Sequence, residues 1–346
     1  MCIAWFWTVA LVAADPRRFS QVLVESPTIP KCFLLALFDG TVPLVSVVIP
    51  ARGQAALLRR TLATVQAQTF QNLEVIVIDD GSMPPLAQDL ADLVPSMNIR
   101  YHHQPAAGPG MARNRGVEMA EGEFVAFLDS DDLWAPDKLQ LQVDTMRRDL
   151  GADLCVTQET LVDGDDRPFK RNARRVQAGV PGVKAFRHVM IHPSALMMRR
   201  RLFDDPAHRF WDQPRYCEDW NLWMKLAFTV KIAVVPDCLT FIRKVSAGRA
   251  TNNGQKLYED GKFAVDDALA FLARTGISPR TIRRCRRAAE RVLTYHYFSF
   301  LMARRDYPSA MKMYRYLAGC PWSAEFAKAS AKLLLYPTGL RTPVPR

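Results

Sequence analysis

Between Val45 and Thr251, short unbroken apolar runs alternate with stretches in which apolar residues recur every three or four positions. Val45–Pro50, Leu73–Ile78 and Phe124–Leu128 carry too few polar residues for strands with one wet face. Such runs suit a parallel sheet covered on both sides. Proline ends the first run, and Arg52-Gly53-Gln54 turns the chain into Ala55–Gln68, where Leu57, Leu58, Leu62 and Val65 fall at helical spacing. Strand, helix and strand within about forty residues predict a βαβ unit with a right-handed crossover. A short helix over Leu86–Leu93, a third strand over Asn98–His103 and a helix over Met111–Ala120, opened by Gly108-Pro109-Gly110, continue the alternation. The expected fold class is α/β, with a Rossmann-like, mostly parallel sheet flanked by helices.

From Asn253 the strand signals stop. Leu257–Thr275, Ser278–Ala303, Tyr307–Ala318 and Ser323–Tyr336 read as four helices, broken at Gly276-Ile277-Ser278, Arg305-Asp306 and Pro321. Tyr295, Tyr297, Phe298, Met311, Tyr314 and Leu317 recur at helical spacing, which predicts paired hairpins. Arg280, Arg283, Arg284, Arg286 and Arg287 make one face strongly basic. That face suits either an anionic membrane surface, near a lipid-linked acceptor, or the solvated side of a helical cap or dimer. Residues up to Thr41 show no clear period, and the apolar run Cys2–Ala14 is shorter than the ~18 residues that span a bilayer and has no Lys or Arg ahead of it. An extension outside the fold is the expectation there, over a shallow membrane contact or a signal peptide. The division expected is 1–42 as this extension, 43–252 as the catalytic domain and 253–346 as a helical region.

The 346 residues are 49% hydrophobic and 23% charged, ordinary for a globular chain, but 46 Lys and Arg against 35 Asp and Glu leave a net charge of +11. That excess points to an anionic partner. No recognition-helix pattern and no aromatic-rich RNA-binding strand is present, so nucleic acid is not expected. The seven cysteines are scattered without a Cys-x-x-Cys pair, which suits reduced thiols in the cytoplasm rather than a disulfide framework or zinc site.

Candidate chemistry begins where Phe124–Leu128 runs into Asp129-Ser130-Asp131-Asp132. Ligands of open α/β sheets bind outside the carboxyl ends of the strands. Carboxylates spaced Asp-x-Asp suit Mg²⁺ or Mn²⁺, and such a cation would neutralise a diphosphate. The alternative is an acidic turn with Asp132 capping the next helix and Pro136 in its first turn. Asp79-Asp80 ends a second strand beside Gly81-Ser82, where an acid either accepts from a pyrimidine imide or closes an Asx-turn. Glu218-Asp219 opens an amphipathic helix with Trp220, Trp223, Leu226 and Ala227 on its buried face; the pair could act in acid–base chemistry or merely favour the helix dipole.

In order, Val45 to Pro50, Glu74 to Ser82, Gly108-x-Gly110-x-Ala112-Arg113-Asn114-x-Gly116 and Phe127 to Asp132 resemble the family 2 glycosyltransferases. The resemblance continues through Ser194 to Met197, Phe210-Trp211-Asp212 and Tyr216 to Trp223, covering roughly Pro43 to Thr251. It implies a GT-A fold, an inverting mechanism and a nucleoside diphosphate sugar donor, UDP-linked, with a hydroxyl of a cell-envelope or exopolysaccharide glycan as acceptor and a hexosyl or N-acetylhexosaminyl group transferred. It implies Asp219 as general base beside Glu218, Asp131 on the metal and Asp129 near the ribose or the metal's waters, with Asp132 either standing behind the metal ligands or capping the next helix. Pro50, Asp80, Arg113, Asn114, Asp129, Ser130 and Arg243 fall on the donor side, although Arg113 could equally be a solvated helix charge. His192 and Trp220 are placed toward the acceptor. Many relatives carry a histidine two residues after the arginine of the C-terminal loop; here that position is Val245, so a metal ligand from this loop is in doubt. The Gln-x-x-Arg-Trp motif of processive synthases is absent, and one sugar per acceptor is expected. The polar, Arg-rich stretch from Val162 to Lys184 predicts a flexible loop over the acceptor cleft. A nucleotidyltransferase would want a Gly-rich basic loop after the first strand, for which Arg52-Gly53 is slight; a catalytically silent module is disfavoured by Asp80, Asp131 and Asp219 together. The place implied is cytoplasmic, on or near the membrane's inner face.

Overall fold

The structure is a computed structural model that describes residues 43–171, 176–187, 191–211, 216–244, 253–321 and 323–335. The expectations for residues 1–42, Asp212 and Val245 lie outside these.

Strands β1 (Val45–Ala51), β2 (Leu73–Asp80), β3 (Ile99–Gln104) and β4 (Phe124–Phe127) are parallel neighbours in the order β3-β2-β1-β4. Every residue of β1 and β4 is buried, and all of β2 but its first, so their unbroken apolar runs answer to cover on both faces. Helix α1 (Ala55–Gln66) crosses from β1 to β2 and buries Leu58, Leu62 and Val65. The helix expected over Leu86–Leu93 is instead a 3₁₀ turn, Gln88–Leu90, followed by α2 (Val94–Met97). Pro95 sits in the first turn of α2, and it has no N–H to continue a helix from the turn before. Helix α3 (Pro109–Met119) starts on a proline behind Gly108, which adopts φ 98°.

Beyond β4 the sheet is mixed rather than parallel. Strand β8 (Leu196–Arg199) lies antiparallel to β4 and to β6 (Leu154–Val162), β9 (Ile232–Arg243) runs parallel to β6, and the short β5 (Leu133–Trp134) pairs antiparallel at the end. Helix α4 (Lys138–Arg148) covers this half. The stretch expected as a loop contains β7 (Pro168–Arg171), a hairpin partner of β6, and a 3₁₀ turn, Gly182–Phe186, that buries Ala185 and Phe186. The hairpin is pinned at its turn by Asp166, which pairs with both Arg60 and Arg243.

The four C-terminal helices are present: α6 (Gly254–Arg274), α7 (Pro279–Ala303), α8 (Tyr307–Ala318) and α9 (Ala324–Leu335). They begin against α5 (Glu218–Leu226). Trp220, Met224 and Ala227 share one apolar cluster with Ala264, Ala268 and Leu272 of α6 and Cys285, Ala289 and Leu293 of α7. A second cluster, around Phe298, Leu301, Ala310, Leu317 and Ala329, joins α7, α8 and α9. The change from strands to helices near residue 253 is therefore not a break in packing, and the helix that opens with Glu218-Asp219 is held from its far side by the helical layer. No helix among the described residues is long and apolar enough to cross a membrane.

Candidate active site

Two acids end β2 with different duties. Asp79 accepts from the backbone N–H of Ser82 and of Leu86, each at 2.9 Å, and from the Tyr101 hydroxyl at 2.6 Å. Burial opposes its charge, yet these bonds hold the carboxyl below its ordinary value. Of the two roles open to an acid at this strand end, Asp79 takes the closing of the turn. Asp80 is turned the other way and accepts from Gln104 Nε2 at 2.9 Å and from the N–H groups of Ala107 and Gly108 at 2.8 Å. It thereby ties the entry of α3 to the carboxyl edge of the sheet, two strand spacings (about 10 Å) from β4.

At the end of β4 the backbone N–H of Asp129 donates to Ser194 Oγ at 3.0 Å. Its side chain meets Arg113 of α3. Arg113, only 4% exposed, donates Nη2 to Asp129 Oδ1 at 2.7 Å and Nη1 to Glu218 Oε1 at 3.0 Å, with its guanidinium 5.2 Å from the centre of the Phe210 ring. Helix α3 can come this close because Gly110 has no side chain: a Cβ there would lie 2.8 Å from Trp211 O and 3.0 Å from Glu218 Cγ. Arg113 is thus no solvated helix charge but a clamp between the end of β4 and the start of α5, and its planar fork suits two carboxylates.

Glu218 and Asp219 follow Cys217, whose φ of 68° turns the chain sharply into α5. Asp219 Oδ1 accepts from the N–H of Trp220 at 2.7 Å. Burial, and then Asp219, push the Glu218 carboxyl up to about 7. Asp219 is raised too, by burial first, while the fields of Arg113 and His192 pull it down and Asp129 adds to the rise.

The third cluster joins two residues that the sequence left apart, Asp132 and His192. Asp132, 1% exposed, accepts from Ser194 Oγ at 2.6 Å and from the backbone N–H of Arg243 at 3.0 Å. His192 Nδ1 lies 3.4 Å from Asp132 Oδ2, and His192 Nε2 lies 3.8 Å from Asp129 Oδ2. Burial works against a charge on His192, but Asp132 and Asp129, with Glu159 and Asp219 behind them, raise it above its ordinary value. Burial pushes Asp132 up to about 7 against the pull of His192, with Asp129 and Asp131 adding to the push. Asp132 is not a helix cap, since α4 starts only at Lys138.

The sheet edge thus brings together Asp129, Asp132, His192, Arg113, Glu218 and Asp219, while other expected residues take different places. Trp220 does not face an acceptor; it is 2% exposed in the helical layer, with Nε1 donating to Ala185 O at 2.8 Å. Its position in α5 puts it on the face that packs on α6 and α7. Asn114 is engaged within the chain, its amide donating to Phe210 O at 2.8 Å and its oxygen accepting from Phe210 N–H at 2.9 Å. The Arg243 guanidinium is fully buried, with Nη2 2.5 Å from Asp166 Oδ1, so its contribution at the edge is its backbone N–H. Pro50 is buried within β1, and Ser130 O accepts from Thr61 Oγ1 at 3.0 Å.

The donor set fits a divalent cation. Asp129, Asp132 and His192 can bring one ligand atom each within 4.8 Å of one another, and two carboxylates with one imidazole suit Mn²⁺. Asp131, expected as a ligand, is outside this group of three but close enough for its charge to act on Asp132.

The sequence model of glycosyl transferase family 2 matches residues 46–205. The succinoglycan biosynthesis protein ExoW of Rhizobium meliloti (strain 1021) is 46% identical over 108 residues, which is 30% of this chain and 34% of that protein. The chain therefore matches about a third of that relative's length. Among solved structures, S. aureus TarS 1-349 in complex with UDP-GlcNAc superposes with a TM-score of 0.55 at 19% identity, over 74% of this chain and 81% of that one. The mannosyltransferase PcManGT from Pyrobaculum calidifontis, in complex with GDP-Man and Mn²⁺, also gives 0.55, at 20% identity over 96% and 93%. At such identities the two structures speak for the fold. Residues 46–205 thus match glycosyl transferase family 2, and the fold is that of the GT-A glycosyltransferases.

Proposed function

We propose that this chain is an inverting glycosyltransferase that moves a sugar from a UDP-linked donor to a hydroxyl of a cell-envelope or exopolysaccharide glycan. One observation carries the reading: Arg113 joins Asp129 at the end of β4 to Glu218 at the start of α5, so that Asp219 stands beside the edge where α/β sheets take their ligands. Succinoglycan biosynthesis by ExoW supports the acceptor class, and the nucleotide sugars in the two solved structures support the donor class.

In this mechanism the acceptor oxygen attacks the anomeric carbon from the face opposite the diphosphate. Its proton passes to Asp219 as the C–O bond forms, the bond from the anomeric carbon to the diphosphate oxygen breaks, and the nucleoside diphosphate leaves with that electron pair. Burial raises Asp219 above its ordinary value, which strengthens it as a base, while Arg113 and His192 pull it back toward the charged form. Asp80, acceptor-only and on the same edge, takes the uracil imide N–H, a donor that a cytosine ring lacks. A divalent cation, when bound, neutralises charge on the leaving diphosphate. Asp129, Asp132 and His192 would hold it, with Asp131 as a further oxygen donor.

The test is Asp219→Asn. Transfer from UDP-sugars should fall by about 10²–10⁴-fold while UDP binding, followed by calorimetry, stays within about twofold. Equal loss of binding and transfer would make Asp219 a structural residue.

A further inference from the structure

The α6–α7 hairpin presents an arginine stripe that the transfer chemistry does not use. Arg280, Arg283, Arg284 and Arg287 lie at i, i+3, i+4 and i+7 of α7, and all four are exposed. That spacing stacks them on one helix face over a rise of about 10 Å. Among the described residues none of the four meets a carboxylate at ion-pair distance, whereas Arg286, between them but on the α6 side, is paired with Asp266 at 2.5 Å. Like charges stacked in this way repel one another. The helix start is not what draws an anion, because Ser278 Oγ already caps it by accepting from Thr281 N–H at 3.2 Å.

Next to the stripe, at the tip of the hairpin, Ala273, Ile277, Pro279 and Ile282 line a shallow open hollow that is mostly apolar, with Arg283 on its rim. Guanidinium groups that match phosphates, side by side with an apolar hollow, fit a surface that offers both. An anionic phospholipid bilayer does so, with phosphates at the height of the arginines and acyl chains beneath them. A nucleic-acid backbone would satisfy the arginines and leave the hollow in water.

The geometry points to the tip of the α6–α7 hairpin as a docking surface for an anionic phospholipid membrane. It stands apart from the clamp at Arg113, so it holds or fails independently of the transfer reaction.

The full chain is mixed with phosphatidylcholine vesicles, with or without phosphatidylglycerol, and sedimented. It should pellet with the anionic vesicles alone, and added salt should release it. The quadruple change of Arg280, Arg283, Arg284 and Arg287 to Glu should lower partitioning by about a thousandfold or more. The same four changed to Lys should retain most of it, since a bilayer asks for charge. Thermal melting of both variants checks that these exposed positions leave the fold intact. Failure of the wild type to pellet, or loss of binding in neither variant, overturns the proposal. So does tighter binding to duplex DNA or RNA at the same salt, abolished by the same change to Glu, which would make the stripe a nucleic-acid surface.

Discussion

Asn221 of α5 donates its amide to Asp267 Oδ2 of α6 at 2.9 Å, across forty-six residues of sequence. The same amide also reaches Ala264 O at 2.9 Å, and Lys225, one turn further along α5, puts Nζ 2.7 Å from Asp267 Oδ2. The first helix of the C-terminal layer is therefore bolted to the helix whose first turn carries Glu218 and Asp219. Asp267→Ala strands the mostly buried Lys225 cation and should cost about 1–3 kcal/mol of stability, read by urea unfolding. If the bolt sets the angle of α5, kcat for sugar transfer should drop several-fold with the donor KM unchanged. A stable variant with full kcat would show that α5 holds its place without α6.

The clamp at Arg113 makes a prediction about pH. Burial raises both Glu218, to about 7, and Asp219; Asp219 pushes the former further up and Asp129 the latter, and Arg113 pulls both down. A general base must be ionised, so transfer should fall as pH drops through the pair's upper titration, giving an acid limb near neutrality. Arg113→Gln removes the cation, raises both carboxyls and should move that limb to higher pH by about one unit. The position of the limb is the readout, because any loss of packing would change only the amplitude.

Lys138 is fully buried beneath Trp134, with Nζ 3.9 Å from the ring centre and 2.7 Å from Gln142 Oε1. Burial pulls its amine down from 10.5 to about 7. Between those values the unfolded chain binds the extra proton, so this residue makes stability rise with pH from about 7 toward 10 and costs most below that window. Lys138→Met, of similar length and without charge, should remove a slope of about 1.4 kcal/mol per pH unit there. Unfolding free energies of the two proteins measured at both ends of the window will tell; an unchanged slope would mean that water reaches the amine.

The parts of this site that lie along one strand or one turn were legible. Phe124–Leu128 announces a strand buried on both faces, and the acids that follow it can only stand at its carboxyl end. Asp79 and Asp80 differ by one position on a strand, so they had to point to opposite sides, and their duties separate accordingly. The helices beyond residue 253 were legible because their aromatic and aliphatic residues keep helical spacing over many turns. What was hidden is contact across long separations. Ser194 reaches Asp132 over sixty-two residues, and Arg113 reaches Glu218 over one hundred and five. A lone histidine and a lone arginine carry no period, so only the pairing of β8 with β4 and the close seat of Gly110 reveal what they face. Trp220 shows the opposite limit, for its nearness in sequence to Asp219 says nothing about direction: the next residue along a helix points about 100° away.

The cation set is open to a test that needs no turnover. With UDP present, Mn²⁺ titration followed by loss of the free-ion paramagnetic signal should show one site in the wild type. His192→Ala and Asp132→Asn should each weaken it by roughly 10–100-fold, since one removes a ligand atom and the other halves the charge that Asp129 and Asp132 place together. Asp132→Asn keeps the side-chain shape, but an amide nitrogen turned toward Ser194 or the Arg243 N–H would lose an acceptor, so Ser194→Ala serves as the control for that bond alone. Asp131→Ala separates the two possible ligand sets. A modest loss fits a charge standing behind Asp132, whereas abolished binding, with Asp132→Asn and His192→Ala near wild type, would move the cation to Asp131 and leave His192 a positioning residue for Asp129.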